Sequence, residues 1–431
     1  MKKLRHFEKS SQIVSRVSSD RLSENKYAET FKSLDLESLP KPLNPSLINS
    51  SDGKISRMLL TIPKYAFEGG ENPYKKVYSD LLIKLPNYTN FLILTHSSII
   101  DSVTDWLVKL NVNERVIINS IDDDLHFSVW AEDAHAITKD NSETYFAQPF
   151  EFPRYADSIV SKIASNVSES IIYQAPLYFQ GGNILIGDNF FLIGKDYANN
   201  SLKYIDKVIT PQHNETKEQC ITRLYNKYLD TNKKLYYIGS TIKVPQQETS
   251  SIIVDNEKWE QIVFFGNKEG TVQPLFHIDM FMTLVGRNDQ GKYQIMVGDP
   301  KLAAEIIDLP ESLLYSMSEV LDDISKQLSE IEEFEVIRNP LPLVYVDDPN
   351  EKIRVWYFAT SNNCLVENTN DTKTVWLPTY GYGNWKELSK TDEANKIIWE
   401  KLNFKVIFLE DFHPFTENLG AVHCIKKYLN R

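Results

Sequence analysis

The feature that most constrains the fold of this chain is a repeated succession of helix, strand and hairpin. Apolar residues recur at helical spacing over residues 73–85 (Val77, Leu81, Leu82, Leu85) and 98–110 (Ile99, Ile100, Val103, Trp106, Leu107, Leu110). Continuous apolar runs at 55–62, 90–95 and 115–119 read as buried strands. The same grammar returns downstream. Helices are predicted over 157–168, 217–229, 312–332 and 392–402, and strands over 170–173, 234–239, 334–338 and 405–409. Hairpins are marked by turn residues at 187–189, 287–291 and 368–372 between apolar runs. Alternating helices and strands argue for an α/β fold. The local hairpins require mixed sheets, because a doubly wound parallel sheet would lack them. About five such blocks follow one another, which fits five small sheets around an axis.

The chain of 431 residues is 42% hydrophobic and 25% charged, enough to build a large core. Residues 1–52 are polar, with Pro40, Pro42 and Pro45 near their end. They are expected to form a partly ordered extension with one short helix at 26–34, ahead of a main domain over 53–431. Segment 245–274 is expected to be surface-exposed. The net charge of −12 opposes non-specific nucleic-acid binding and favours cationic ligands. Three cysteines with no CxxC pair argue against a disulfide framework and a structural zinc site. The basic N-terminus leads into no apolar run, and no window reaches the about 18 apolar residues of a membrane span. The expected location is cytoplasmic.

Four polar clusters stand out. His277-Ile278-Asp279 lies in an apolar run, 275–285, expected to be a strand. Residues two apart on a strand face the same side, so His277 and Asp279 would project together. Such a pair is a buried His–Asp pair, two metal ligands, or a catalytic pair. Gly181-Gly182-Asn183 interrupts an apolar run, which marks a bulge or a close backbone approach. Asp133 follows Trp130 beside Glu132 and His135, whereas the run Asp122–Asp124 reads as a solvated loop. Cys424 follows His423 seven residues from the end of the chain, as core filler or as a nucleophile.

In order, these elements are Trp-x-x-Asp (130–133), Gly-Gly-Asn (181–183), His-x-Asp (277–279), Asn362-Asn363 and Gly-x-x-His-Cys (420–424). The series resembles the guanidino-group-modifying (pentein) superfamily of arginine, agmatine and peptidylarginine deiminases and amidinotransferases. The resemblance covers about residues 54–431. It implies a five-bladed α/β propeller with mixed sheets around a pseudo-five-fold axis, in agreement with the five blocks, and makes 53–431 the catalytic domain.

The resemblance implies Cys424 as nucleophile, His277 as the proton-transferring group, and Asp133 and Asp279 as the carboxylates that hold a planar guanidinium. Substrate binding falls to Trp130, Gln180, Gly182, Asn183 and either Asn362 or Asn363. The chemistry needs no metal or organic cofactor, although some members of the superfamily need calcium for ordering. Two departures matter. Gln180 stands where small-substrate deiminases have an acid, and Glu132 stands where they have Arg. These make the motif pattern closest to the peptidylarginine deiminases, and an Arg-poor site suits a substrate with no free α-carboxylate. The expected activity is therefore hydrolysis of an arginine residue in a peptide or protein to citrulline. The alternatives are an agmatine or free-arginine deiminase, an amidinotransferase, and a non-catalytic guanidinium-binding protein. The expected partner is an arginine-containing peptide or a small guanidino compound, with no nucleic acid and no membrane. A chain cut before His423 is expected to fold nearly normally and turn nothing over.

Overall fold

The computed structural model describes residues 41–244, 247–264, 272–308 and 315–431. The helix expected at 26–34 lies outside these residues, as does the first part of the helix expected at 312–332. Among the described residues the strands form six sheets, and five of them repeat one wiring. That wiring is an antiparallel pair that gains a further strand after a helix, and in three sheets the pair is a hairpin and the added strand runs parallel to its second strand. Ala136–Asp140 and Glu143–Gln148 make such a hairpin, and Ile171–Gln174 joins it in parallel after the helix Tyr155–Val167. Met282–Arg287 and Tyr293–Asp299 are followed by the helices Pro300–Ile307 and Tyr315–Ser329, then by Phe334–Pro340. Leu365–Asn368 and Lys373–Thr379 take Lys405–Asp411 after the helix Ser389–Lys401. Ile184–Ile186 and Phe190–Gly194 gain Lys234–Ile238 as the next strand, after the helix Lys217–Tyr228. In the fifth, Arg57–Ile62 pairs antiparallel with the last strand, Lys426–Asn430, and parallel with Asn90–His96, which in turn takes Val116–Ile121.

The reason for this wiring is local. Antiparallel neighbours need only a tight turn, whereas a parallel neighbour needs a crossover, supplied here by an amphipathic helix. The sequence marks the helix starts. Asn72 accepts from the backbone N–H of Tyr74 and Lys75 ahead of Pro73, and Asp299 does the same ahead of Pro300. The expected α/β fold with mixed sheets is what the chain adopts.

Segment 245–274 is exposed over most of 248–258, as expected, and this exposed part is strand. Its described part contains the hairpin Gln247–Val254/Glu257–Phe264, which runs parallel to Ile353–Phe358, itself paired with Leu343–Asp348, in a sixth sheet. The signal was present: Asp255 and Asn256 take φ of 51° and 64°, as a two-residue hairpin turn with two left-handed residues requires. Within the partly ordered extension expected over 1–52, the described residues begin at 41. Ser46–Leu47 pairs with Thr138 and Lys139, and Leu47 is buried.

The chain divides into two compact units. The first holds the described residues up to Ile193, together with Tyr197–Tyr237 and His423–Arg431. The second holds Gly194–Asp196 and Ile238–Val422. In the first unit one core gathers Leu177, Phe179, Phe191, Leu224 and Tyr225, and another gathers Leu59, Leu92, Leu94, Phe127 and Phe146. In the second unit Val285, Met296, Leu377, Trp399 and Phe404 pack together. Among the described residues no helix is long and apolar enough to cross a membrane.

Candidate active site

Trp130, Asp133, Gln180, Gly182, Asn183 and Cys424 belong to the first unit, and His277, Asp279, Asn362 and Asn363 to the second. In the first unit three remote segments meet. The backbone N–H of Glu132 donates to the carbonyl of Cys424 at 3.1 Å, and that of Gly181 donates to the carbonyl of Asp133 at 3.0 Å. Trp130, Asp133, Gln180, Asn183 and Cys424 are all buried. The glycine at 181 is a close approach: a Cβ there would sit 1.9 Å from the Glu132 carbonyl oxygen and 2.7 Å from Lys427 Nζ. Gln180 turns the chain into the short 3-10 turn Gly181–Asn183, and its side chain hydrogen-bonds Tyr178, whose phenol burial pushes up to about 12.

Around Asp133 and Glu132, buried charges are paired in two groups that sequence reasoning missed. Asp133 is fully buried, and its Oδ2 accepts from Arg154 Nη2 at 2.7 Å. Arg154 Nε reaches Asp157 Oδ2 at 2.6 Å, and Asp157 also accepts from the Ser128 backbone N–H at 2.8 Å and its hydroxyl at 2.6 Å. Burial alone would lower the Arg154 guanidinium, but Asp157 and Asp133 outweigh it and hold the group above its ordinary value.

The second group explains the departure at 132. Glu132 accepts from Lys426 Nζ at 2.7 Å and Lys427 Nζ at 2.8 Å. Burial would raise its carboxyl, yet Lys426, Lys427 and His423 hold it below the usual value. The acid at 132 is thus the counter-charge of two lysines that follow the cysteine. The pair Lys426-Lys427, beside an acid where the resemblance leads one to expect Arg, was the available signal. His135 stacks on Phe146 at 4.5 Å and stays neutral, because burial and Lys427 push it well below 6.5 against the pull of Asp133.

In the second unit the His-x-Asp element is not on a strand. Leu275 and Phe276 both take left-handed φ, 55° and 69°, which bulky side chains rarely do. The backbone N–H of His277 donates to the Leu275 carbonyl at 2.8 Å, closing a three-residue turn. Gln273 holds that turn: its Nε2 donates to the Phe276 carbonyl at 2.7 Å, and its own N–H is anchored on Asp196 at 2.9 Å. Ile278–Met280 is then a 3-10 turn, and the strand begins only at Met282. The expected strand over 275–285, with both side chains on one pleat face, is therefore replaced by a strained turn, of the kind that clusters at functional sites.

The two asparagines also separate. Asn363 Nδ2 donates to the Asp279 carbonyl at 3.2 Å, and its Oδ1 accepts from the Ala421 N–H at 3.1 Å. It ties the His-x-Asp turn to the loop before Cys424. Asn362 instead exchanges amide hydrogen bonds with Asn339, at 2.9 and 3.2 Å. The run Asp122–Asp124 is an exposed turn in which Asp123 accepts from the Ser98 N–H and hydroxyl, both at 3.1 Å.

The loop before Cys424 carries a titratable cluster. His413 Nε2 lies 2.9 Å from the Tyr380 carbonyl, so it carries the proton, and Nδ1 accepts from the Tyr357 hydroxyl at 2.5 Å. Burial, and next Asp411, push the nearby Glu417 carboxyl up from 4.5 to about 7. Between those values the native state holds more protons than the unfolded one, so stability contributed by this group is lost as pH rises from 4.5 to about 7. Glu417→Gln is expected to flatten that part of the stability–pH curve measured by urea unfolding. An unchanged slope would remove Glu417 as its source.

No protein-family model and no curated protein matches the sequence. Solved structures do match the fold. An agmatine deiminase of Enterococcus faecalis superposes with a TM-score of 0.59 at 11% identity, over 89% of this chain and 95% of that one. A C. jejuni agmatine deiminase gives 0.56 at 14% identity, over 89% and 96%. A Porphyromonas gingivalis protein provisionally named an arginine deiminase gives 0.59 at 11% identity, over 88% and 96%. At these identities the likeness is one of architecture, and nearly the whole chain takes part in it. The chain therefore has the α/β fold of the arginine and agmatine deiminase structures.

Proposed function

We propose that this protein is a cysteine-dependent hydrolase of a small guanidino compound, of the agmatine or arginine deiminase type. The observation that carries this reading is the meeting of Trp-x-x-Asp, Gly-Gly-Asn and the Cys424 segment through the Glu132–Cys424 and Asp133–Gly181 hydrogen bonds, within a chain of deiminase-like fold. The five repeated sheets support the further reading of that fold as a five-bladed propeller.

In this reading Asp133 and Asp279 hold the guanidinium. Cys424 attacks its carbon as thiolate, and the C–N bond to one terminal nitrogen breaks. His277 gives a proton to the leaving nitrogen, which departs as ammonia, and a covalent thiouronium remains. His277 then takes a proton from water as that water adds to the same carbon. The C–S bond breaks, returning the thiolate and leaving a ureido product. Water supplies the oxygen, and no oxidant or reductant is consumed.

The peptidylarginine reading rested partly on an Arg-poor site. Arg154 on Asp133 and the two lysines on Glu132 weaken that argument, because cations do lie among these residues, each paired with an internal carboxylate. The comparisons favour small substrates as well. The test is release of ammonia and ureido product from agmatine, free arginine and a peptidyl-arginine, with and without an added amine. Turnover of agmatine or arginine in water is expected. Turnover of the peptide alone would return the peptidylarginine reading, and turnover only with the amine would make the protein an amidinotransferase.

A further inference from the structure

Asp133 raises a question that the proposed function leaves open. A carboxylate that is to hold a cationic substrate is already hydrogen-bonded to an internal cation, Arg154, at 2.7 Å. A lone Asp133–Arg154 pair is neutral and would offer a guanidinium no net attraction. The structure supplies the missing charge one step further out. Arg154 is shared with Asp157 at 2.6 Å, so two aspartates and one arginine form a buried group of net charge −1. Burial strengthens this charge, because little water screens it.

Asp157 is itself firmly held. It lies in the first turn of the helix Tyr155–Val167, where the helix dipole favours a negative charge. Its two oxygens take the Ser128 N–H and hydroxyl, and the same hydroxyl accepts from the Trp130 N–H at 3.2 Å. The guanidinium of Arg154 also lies over the Phe152 ring, 5.0 Å from its centroid, which fixes its plane. One residue thus orients both the Trp-x-x-Asp turn and the arginine that orients Asp133.

We propose that Asp157 is a positioning residue that supplies, through Arg154, the negative charge with which Asp133 attracts a substrate guanidinium. The proposal rests on the deiminase reading and extends it by a residue that touches no substrate.

The test compares two ligands that differ at one atom of the reacting group, a cationic guanidinium with a terminal NH2 and a neutral ureido group with oxygen in its place. The first is whichever of agmatine or arginine the wild-type protein turns over. The second is its neutral ureido product. Binding of both is measured by calorimetry on the Cys424→Ala protein, with and without Asp157→Asn. Loss of one buried charge is expected to weaken the guanidinium ligand about tenfold or more and to leave the ureido ligand unchanged. In turnover the same substitution is expected to raise KM with kcat nearly constant. Asp157→Glu, which restores the charge, is expected to recover guanidinium binding. Should Asp157→Asn fail to fold, Asp157→Ser, a smaller neutral acceptor, makes the same comparison. Equal weakening of both ligands would mean that Asp157 only holds the fold, and no weakening of either would mean that its charge is not felt. Each result overturns the proposal while the deiminase reading stands. A wild-type protein that turns over no guanidino compound overturns that reading, and the role of Asp157 with it.

Discussion

Cys424→Ala is expected to lower ammonia release from a guanidino substrate by on the order of 10⁴-fold or more, as loss of a covalent nucleophile does. The substitution removes one sulfur from a fully buried position, so thermal unfolding should be cooperative and close to that of the parent. The other two thiols are poor substitutes. Burial pushes Cys364 up to about 12, with Val285, Met296 and Val375 around it. Cys220 is raised by burial and next by Glu215. Both would be overwhelmingly protonated at neutral pH, and a thiol is a weak nucleophile beside a thiolate. Turnover that survives Cys424→Ala but is lost in a Cys220 or Cys364 variant would reassign the nucleophile.

The second large effect is on stability. Glu132→Ala is expected to destabilise the protein by about 3–5 kcal/mol, because it leaves the buried Lys426 and Lys427 without their shared carboxylate. Urea unfolding measures this directly. Replacing all three residues with methionine is expected to recover most of the loss, since a buried ion group and a well-packed apolar group are close in free energy. A Glu132→Ala protein as stable as its parent would show that the lysines find other partners at little cost.

The same ion group corrects the expectation that a chain cut before His423 folds nearly normally. Such a chain loses the strand Lys426–Asn430, which pairs with Arg57–Ile62, and leaves Glu132 buried without its lysines. It also loses Arg431, whose guanidinium donates to the carbonyls of Ser51 and Gly53 at 2.7 and 3.1 Å. Inactivity of a truncated protein would therefore say nothing about the thiol, and the point substitution is the informative experiment.

The sequence by itself determined the local elements and singled out the residues proposed for the site. Helical spacing located Pro73–Lys84, Ile100–Lys109 and Lys217–Tyr228 to within two residues at each end, and the Gly-Asp-Asn turn located the hairpin of Ile184–Ile186 with Phe190–Gly194. These are legible because apolar periodicity and turn chemistry act over a few neighbouring residues. The order of Trp130, Asp133, Gly182, His277 and Cys424 was legible as well, as a pattern of residue types. Tertiary structure alone decided how those residues are held. The turn that presents His277 depends on Leu275 and Phe276 adopting left-handed conformations that no propensity would assign to them. Asn363 was separated from Asn362 only by their partners, backbone groups of Asp279 and Ala421 for Asn363 and the Asn339 side chain for Asn362. Asp133 was joined to Arg154 and Asp157, and Glu132 to Lys426 and Lys427, by burial: a charge removed from water must find a partner, and the fold selects that partner from any distance along the chain.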